Sequence, residues 1–290
     1  MAAENCSPPV EPIEERGMAR DVTRSFKERL GRGDRVFGLL LGLGNDPDST
    51  VEAIKESGYD YFMLDNEHTL MGKETIFNYI RLARQAELPI ILRPESQDAN
   101  WHPYLDAGIN GLMLPDVNSV EEAARAISKA YFPPLGKRGS GIGMSPYLLD
   151  GMDAEGTPLL EMTKYVNDNT MLFPQTESVA AVECLGETLK LDGVTGTIVG
   201  PNDLVLDIGG IRPGALRSEL RSSPAMEERL LQIARMCRER GKVGGIGGYP
   251  PRALLRWAQE GYQLFMLGYI AAGNLQKLQQ SIKQVREVFG

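Results

Sequence analysis

Four segments of this chain share one frame, and that frame narrows the possible folds more than any other feature. GYDYFML from Gly58, GINGLML from Gly108 and GYQLFML from Gly261 each place Met-Leu five and six residues after a glycine. GVTGTIV from Gly193 puts Ile198 and Val199 at the same offsets. The stretches AIKES, PYLDA and WAQE before the first three read as helix ends. A glycine just past a helix stops it, because glycine enters the left-handed region without Cβ strain. The apolar run that follows reads as a strand buried on both faces. The repeated unit is therefore helix, glycine, buried strand.

Adding the other apolar runs predicts strands at 36–41, 61–64, 90–93, 111–114, 170–174, 194–199, 242–246 and 264–267. Ser49 with Glu52 and Ser119 with Glu122 fit capping boxes at helix starts. Eight strand–helix units in roughly 250 residues match an α/β TIM (β/α)8 barrel, with a doubly wound open sheet as the alternative. The Pro- and Glu-rich start reads as a flexible N-terminal arm over 1–30, and 31–290 as one catalytic barrel domain. A C-terminal helix is predicted over 272–289, where Leu275, Leu278, Ile282, Val285 and Val288 form a stripe. That stripe covers either the barrel or another subunit. Between Pro115 and Met171 lie a helix and a long Gly/Pro/Met-rich stretch, YFPPLGKRGSGIGMSPYLLDGMDAEG, which reads as a functional loop or a disordered one.

Charge and cysteines exclude several classes. The net charge of −8 argues against non-specific nucleic-acid binding, which needs a basic face. Three cysteines, Cys6, Cys184 and Cys237, form neither a CxxC pair nor an even disulfide framework, which suggests a reducing, cytoplasmic setting. The start has no apolar signal-peptide core, and no window of about 18 apolar residues predicts a membrane span.

In a parallel barrel, chemistry gathers at the C-terminal ends of the strands. LDNEH puts Asp65, Glu67 and His68 after the second strand, and ILRP puts Arg93 after the third. FPQTES supplies Gln175 and Glu177, and IVGPNDL supplies Gly200, Asn202 and Asp203. Carboxylates with water suit a hard divalent cation. A nearby arginine grips a carboxylate or oxyanion, and a histidine moves a proton near neutral pH. Each residue also has a plainer reading. His68 is then a structural histidine, Asp65 and Asp203 are helix caps, Arg93 pairs with Glu95 or Asp98, and Glu177 is a first-turn helix acid. Their joint placement on one mouth favours chemistry. No lysine falls at a strand end, so Schiff-base chemistry is disfavoured. GKVGGIGGYPP over 241–251 is a glycine-rich turn without P-loop spacing, and a weaker candidate for phosphate binding.

LDNEH, ILRP, PPLGKRG, QTES and GPNDL occur in this order, and together they resemble the HpcH/HpaI aldolase and citrate lyase family over roughly residues 35–290. The resemblance points to the metal-dependent pyruvate aldolases. It implies a TIM barrel, often a homohexamer built from dimers, with the C-terminal helix exchanged between neighbours. It implies retro-aldol cleavage of a 4-hydroxy-2-oxo acid to pyruvate and an aldehyde, through a pyruvate enolate held by Mg²⁺, or by Mn²⁺ or Co²⁺. Carried over by motif, Glu177 and Asp203 are the metal ligands and Gln175 lies beside the pyruvate. Arg93 stabilises the enolate, His68 acts on the hydroxyl proton, and Asp65 and Glu67 support them. Gly200 and Asn202 offer backbone N–H groups to the substrate carboxylate. Asp106 matches an acid paired with the family's histidine. Placed before Gly108 at a helix C-terminus, it would reach His68 only by unusual placement or from another subunit. Asn66 stands where the family usually has glycine. FPQTES and the N-terminal arm also resemble the macrophomate synthase branch, which implies oxaloacetate decarboxylation with use of the enolate for C–C bond formation. A catalytically inactive metabolite-binding barrel is the alternative from another class.

Overall fold

Eight parallel strands close on one another in chain order: β1 (Val36–Leu41), β2 (Phe62–Asp65), β3 (Ile90–Arg93), β4 (Gly111–Leu114), β5 (Met171–Thr176), β6 (Gly196–Val199), β7 (Val243–Gly247) and β8 (Leu264–Ile270). The computed structural model describes residues 22–209, 213–270 and 276–290. Around the barrel run α1 (Val22–Gly31), α2 (Pro47–Ser57), α3 (Lys73–Gln85), α4 (His102–Asp106), α5 (Val120–Ala130) and α6 (Leu159–Asp168). They are followed by α7 (Val179–Thr188), α8 (Pro201–Ile208), α9 (Arg217–Arg221), α10 (Pro224–Arg240), α11 (Pro251–Gln259) and α12 (Gln276–Phe289). The barrel, rather than the open sheet, is the fold.

The repeated Met-Leu pair now has a physical meaning. Successive strand residues face opposite sides. Met63, Met113 and Ile198 fill the barrel interior with Leu40, Ile91 and Phe173, and Met266 packs against them. Leu64, Leu114 and Val199 face the helices instead. Gly58, Gly108 and Gly261, directly past α2, α4 and α11, have positive φ as a left-handed helix stop requires, and Gly193 has positive φ in a turn four residues beyond the Leu189 cap of α7. The same alternation aims the next residues. Two positions beyond Met63 comes Asp65, beyond Ile91 comes Arg93, and beyond Phe173 comes Gln175. The strand interiors thus continue directly into the polar mouth.

Several expectations shift. Residues 22–31, most of which were expected in the arm over 1–30, form α1. Phe26 and Leu30 are buried there, with the Phe26 ring 5.6 Å from that of Tyr61. Residues 1–21, Cys6 among them, lie outside the described residues, as do 271–275 at the start of the expected C-terminal helix. Helix α2 is capped by Asp46, which accepts from the Ser49 N–H at 3.0 Å, so Ser49 is inside the helix. Ser119 does cap α5, but Glu122 reaches back to the Asn118 N–H rather than to Ser119. Helix α12 packs on α2, α11 and β8 of its own chain through Leu278, Ile282 and Val285. Gly58 and Tyr59 anchor it through Arg286 Nη2 to the Gly58 carbonyl at 2.8 Å and Tyr59 Oη to the Leu278 carbonyl at 2.9 Å.

The long segment between α5 and α6 packs against the C-terminal ends of α3 and α4, which lead into strand starts, so these contacts lie at the end opposite the mouth. It has its own apolar cluster of Phe132, Leu148, Leu149, Met162 and Val166. Two buried ion pairs pin it to the barrel. Arg84 Nη1 lies 3.2 Å from Asp150, and Arg138 Nη2 donates to Asp106 at 2.6 Å.

Candidate active site

Asp65 and Arg93 are register partners at the ends of β2 and β3. Adjacency across a parallel ladder brings their side chains together, and the arginine fork closes on both carboxylate oxygens. Arg93 Nε donates to Asp65 Oδ1 at 3.0 Å and Nη2 donates to Oδ2 at 2.8 Å. Glu67 Oε2 lies 3.0 Å from Arg93 Nη1 without hydrogen-bond alignment. Asp65 Oδ1 also accepts from the backbone N–H groups of Glu67 and His68, at 3.1 and 3.3 Å. Asp65 is therefore neither a helix cap nor a surface acid. It orients Arg93 and shapes the turn that carries His68. Burial works against the charge on Arg93, but Asp65, Glu67 and Glu177 outweigh it and hold the guanidinium protonated.

His68 stands at the edge of this group. Its side chain is 59% exposed, with Nε2 3.7 Å from Glu67 Oε2. Burial raises the Glu67 carboxyl above its usual range, while Arg93 and His68 oppose that shift. The other histidine, His102, lies against the Lys129 carbonyl at 3.1 Å and takes no part. Asn66, where glycine is usual in the resemblance, is buried and occupied. Its Nδ2 donates to Glu95 at 2.8 Å and its Oδ1 accepts from the Met71 N–H at 2.9 Å.

Across the mouth, Gln175 and Glu177 emerge from β5. Glu177 Oε1 accepts from the Asp116 N–H at 2.8 Å, and Oε2 accepts from Gln175 Nε2. Gln175 Oε1 is buried with no hydrogen-bond partner. Burial pushes the Glu177 carboxyl up to about 7, and the charges of Glu67, Asp203 and Asp116 add to this against the Asp116 N–H. A Cβ on Gly200 would come within 2.5 Å of Gln175 Nε2 and 2.8 Å of Glu177, so glycine keeps this space open. The Gly200 N–H is spent on the Thr176 carbonyl at 3.1 Å. Gly200 therefore contributes room rather than the donor expected from the sequence. Pro201 opens α8, with Asn202 and Asp203 in its first turn. N–H groups in the first turn of a helix have no intrahelical partner.

Asp106 does not join this group. It ends α4 at the opposite end of the barrel, bound to Arg138, whose guanidinium stacks 4.8 Å over the Phe132 ring. Two residues missed by sequence reasoning stand at the mouth instead. Asp116 follows β4 with a positive φ of 55° and sits close enough to Glu67 and Glu177 to repel them. Tyr269, near the end of β8, lies over Gly42, where a Cβ would be 1.7 Å from its hydroxyl. Burial and the Asp65 charge raise its phenol, against Arg93. A strand-end acid in LPD was the available signal for Asp116. For Tyr269 alternation gave no signal, because Phe265 and Leu267 face the helices and only a register shift between Met266 and Tyr269 turns Tyr269 toward the mouth.

Among the described residues, no group of three or more His, Cys, Asp or Glu side chains is gathered as a ready metal cage. Glu177 and Asp203 nevertheless fit a hard divalent cation. Surplus negative charge surrounds Glu177, a buried amide oxygen lacks a partner, and Gly200 leaves space beside both.

The model of the HpcH/HpaI aldolase/citrate lyase family matches residues 39–239. A hydroxypyruvate/pyruvate aldolase from Roseovarius nubinhibens is 28% identical over 268 residues, covering 91% of this chain and 97% of that protein. The crystal structure of an HpcH/HpaI aldolase from Desulfitobacterium hafniense DCB-2 superposes with a TM-score of 0.74 at 29% identity, covering 90% of this chain and 96% of the other. The structure of macrophomate synthase shares the fold, with a TM-score of 0.71 at 22% identity, over 96% of this chain and 92% of the other.

Proposed function

This chain belongs to the HpcH/HpaI aldolase/citrate lyase family, and from that premise we propose that its mouth cleaves a 4-hydroxy-2-oxo acid to pyruvate and an aldehyde with the help of a divalent cation. That it is an aldolase or lyase follows from its family and its aldolase relatives. The single observation that carries the finer reading is the mouth itself: a fixed arginine, an exposed histidine and surplus carboxylates on adjoining strand ends.

Glu177 and Asp203 would hold the cation, Mg²⁺ first, with Mn²⁺ or Co²⁺ suited to the same oxygen set. When bound, it supplies Lewis acidity to the carbonyl and carboxylate of the 2-oxo acid. Gln175 lines the place of the substrate beside the cation, and the first turn of α8 offers the Asn202 N–H to the carboxylate. His68 takes the proton of the 4-hydroxyl. The bond between carbons 3 and 4 then breaks, its electron pair passes into the enolate of pyruvate, and the aldehyde leaves. Arg93, already locked by Asp65, presents its charge to the oxyanion without reorganising. A proton returned to carbon 3 completes pyruvate. Asp65 and Glu67 position Arg93 and the His68 turn.

The same enolate would arise by loss of CO₂ from oxaloacetate, so the test separates the two. Pyruvate methyl protons should exchange into D₂O with Mg²⁺ or Mn²⁺ and stop with EDTA. Aldehyde-dependent adduct formation then marks an aldolase, and faster oxaloacetate loss marks a decarboxylase. Absence of exchange with every metal would leave an inactive barrel. We also propose a cytoplasmic homo-oligomer, a hexamer or trimer of dimers. Leu70 and Met144, 90% and 81% exposed, are apolar surface that a second copy would cover, and sedimentation analysis tests this. Among the described residues, no helix is long and apolar enough to cross a membrane.

A further inference from the structure

The glycine-rich turn after β7 takes no part in the chemistry at Glu177, Asp203, Arg93 and His68, yet a cation is built onto it. Gly247 ends β7 and Gly248 follows with a φ of 77°. Arg221, the last residue of α9, comes down on this turn. A Cβ on Gly248 would lie 2.8 Å from Arg221 Nη1 and 3.8 Å from Pro201 Cγ. Glycine therefore lets the guanidinium rest against the backbone of the turn, beside the first residue of the helix that carries Asp203. The Arg221 Cζ is 5.3 Å from the Tyr249 ring centroid, and the Tyr249 hydroxyl donates to the Arg221 carbonyl at 3.2 Å. These contacts hold Arg221 over the Tyr249 ring.

The counter-charge is missing. Arg221 is half-buried, its Nε is buried without a hydrogen-bond partner, and no ion pair among the described residues includes it. The chain carries 39 acids against 31 Lys and Arg, so acids are not scarce. Arg93 and Arg138 each bind an aspartate. Arg252 adds a second, exposed cation in the first turn of α11, where the helix dipole disfavours positive charge. A planar arginine fork against a glycine turn matches the geometry of a carboxylate or phosphate.

We propose that Arg221, resting on Tyr249 at the β7 turn, is a receptor for an oxyanion at the far end of the molecule that reacts at the mouth. This rests on the mouth being a 2-oxo-acid lyase and deepens that reading, since it gives the aldehyde partner an anionic tail, carboxylate or phosphate.

The test uses the full chain with Mg²⁺ and pyruvate, and compares matched aldehydes: glyceraldehyde with glyceraldehyde 3-phosphate, and butanal with 4-oxobutanoate. Wild type should prefer the anionic member of at least one pair in kcat/KM, and the pair with the larger preference identifies the oxyanion. Arg221→Gln should shrink that preference by roughly 10- to 100-fold through KM, the scale of a lost charge-assisted bond. Arg221→Lys should keep part of it and serves if the glutamine variant fails to fold. A preference absent in wild type, or unchanged in both variants, overturns the receptor. If no aldehyde turns over, the lyase reading fails separately, and calorimetry with inorganic phosphate and succinate tests the receptor alone. Binding lost in Arg221→Gln sustains it, and binding that is absent or equal in both proteins overturns it.

Discussion

Arg93 at the mouth and Arg138 beneath the barrel are built from the same parts. Each is a buried arginine bound to an aspartate far away in sequence, through bonds of 2.8 and 2.6 Å. Their surroundings differ. Arg93 is shared among Asp65, Glu67 and, at longer range, Glu177, and Glu177 is pushed up to about 7 by burial, with the charges of Glu67, Asp203 and Asp116 adding to it. Among the described residues Asp106 is the one acid paired with Arg138, which also covers Phe132 with its face and holds the Gly-rich segment that follows it. Surplus charge is a place for a ligand. Matched charge is a clamp.

The largest expected effect breaks the mouth. Arg93→Lys keeps the charge but loses the fork that meets both Asp65 oxygens. Loss of an oriented oxyanion donor predicts a fall in kcat on the order of 10³, with the melting temperature nearly unchanged. Steady-state kinetics and a thermal melt on the same preparation check both halves. A lysine variant with near-wild-type turnover would remove Arg93 from the chemistry.

The clamp should show the opposite signature. Arg138→Met retains the apolar cover of Phe132 and leaves Asp106 without its partner. The expected loss is about 3 kcal/mol of stability, the low end for breaking a buried pair, because Asp106 keeps partial access to water. Urea unfolding would measure it. Asp106→Asn sharpens the comparison, because the family resemblance gives this acid a catalytic role. Lower stability with turnover retained makes Asp106 part of the clamp. Turnover lost from a protein of normal stability would mean that Asp106 serves a histidine in another copy.

Next in size is the space beside Gln175. Gly200→Ala places a methyl where Gln175 and Glu177 now approach, and something must move. A roughly 10- to 100-fold weaker affinity for Mn²⁺ is expected, the scale of disturbed metal-site support. Titration followed by water-proton relaxation reads it directly. Unchanged affinity would place the cation elsewhere.

The barrel was legible because one physical rule, alternation in a strand, repeats through the sequence. Met63 inward and Leu64 outward already imply Asp65 at the mouth, and the same step yields Arg93 and Gln175. Tyr269 was hidden because β8 was expected to stop at 267, whereas a register shift opposite Gly38 and Leu40 lets the pairing run to Ile270. Asp116 was hidden because its backbone turns through a positive φ, which no motif announces. The Arg138–Asp106 clamp joins residues 32 apart and exists only once the long segment has folded back, so periodicity carries no trace of it. The cap of α2 was misplaced because Ser49 is a good cap in isolation, while Asp46 followed by Pro47 is the stronger start in context.

The smallest effect tests whether the mouth tolerates a change in its support without losing its chemistry. Asn66 touches no expected ligand group. It ties the His68 turn to Glu95 through Nδ2 and to Met71 through Oδ1. Asn66→Gly removes both bonds and frees the backbone between Asp65 and Glu67. Two neutral or singly charged hydrogen bonds at a partly buried site predict about 1–2 kcal/mol of lost stability. The bidentate grip on Arg93 does not pass through Asn66, so kcat should fall only a few-fold. If kcat instead fell as far as in Arg93→Lys, the His68 turn would depend on Asn66 for its geometry. The division between a charged mouth and its structural support would then run through the turn itself, with Asp65 and Asn66 on the same side.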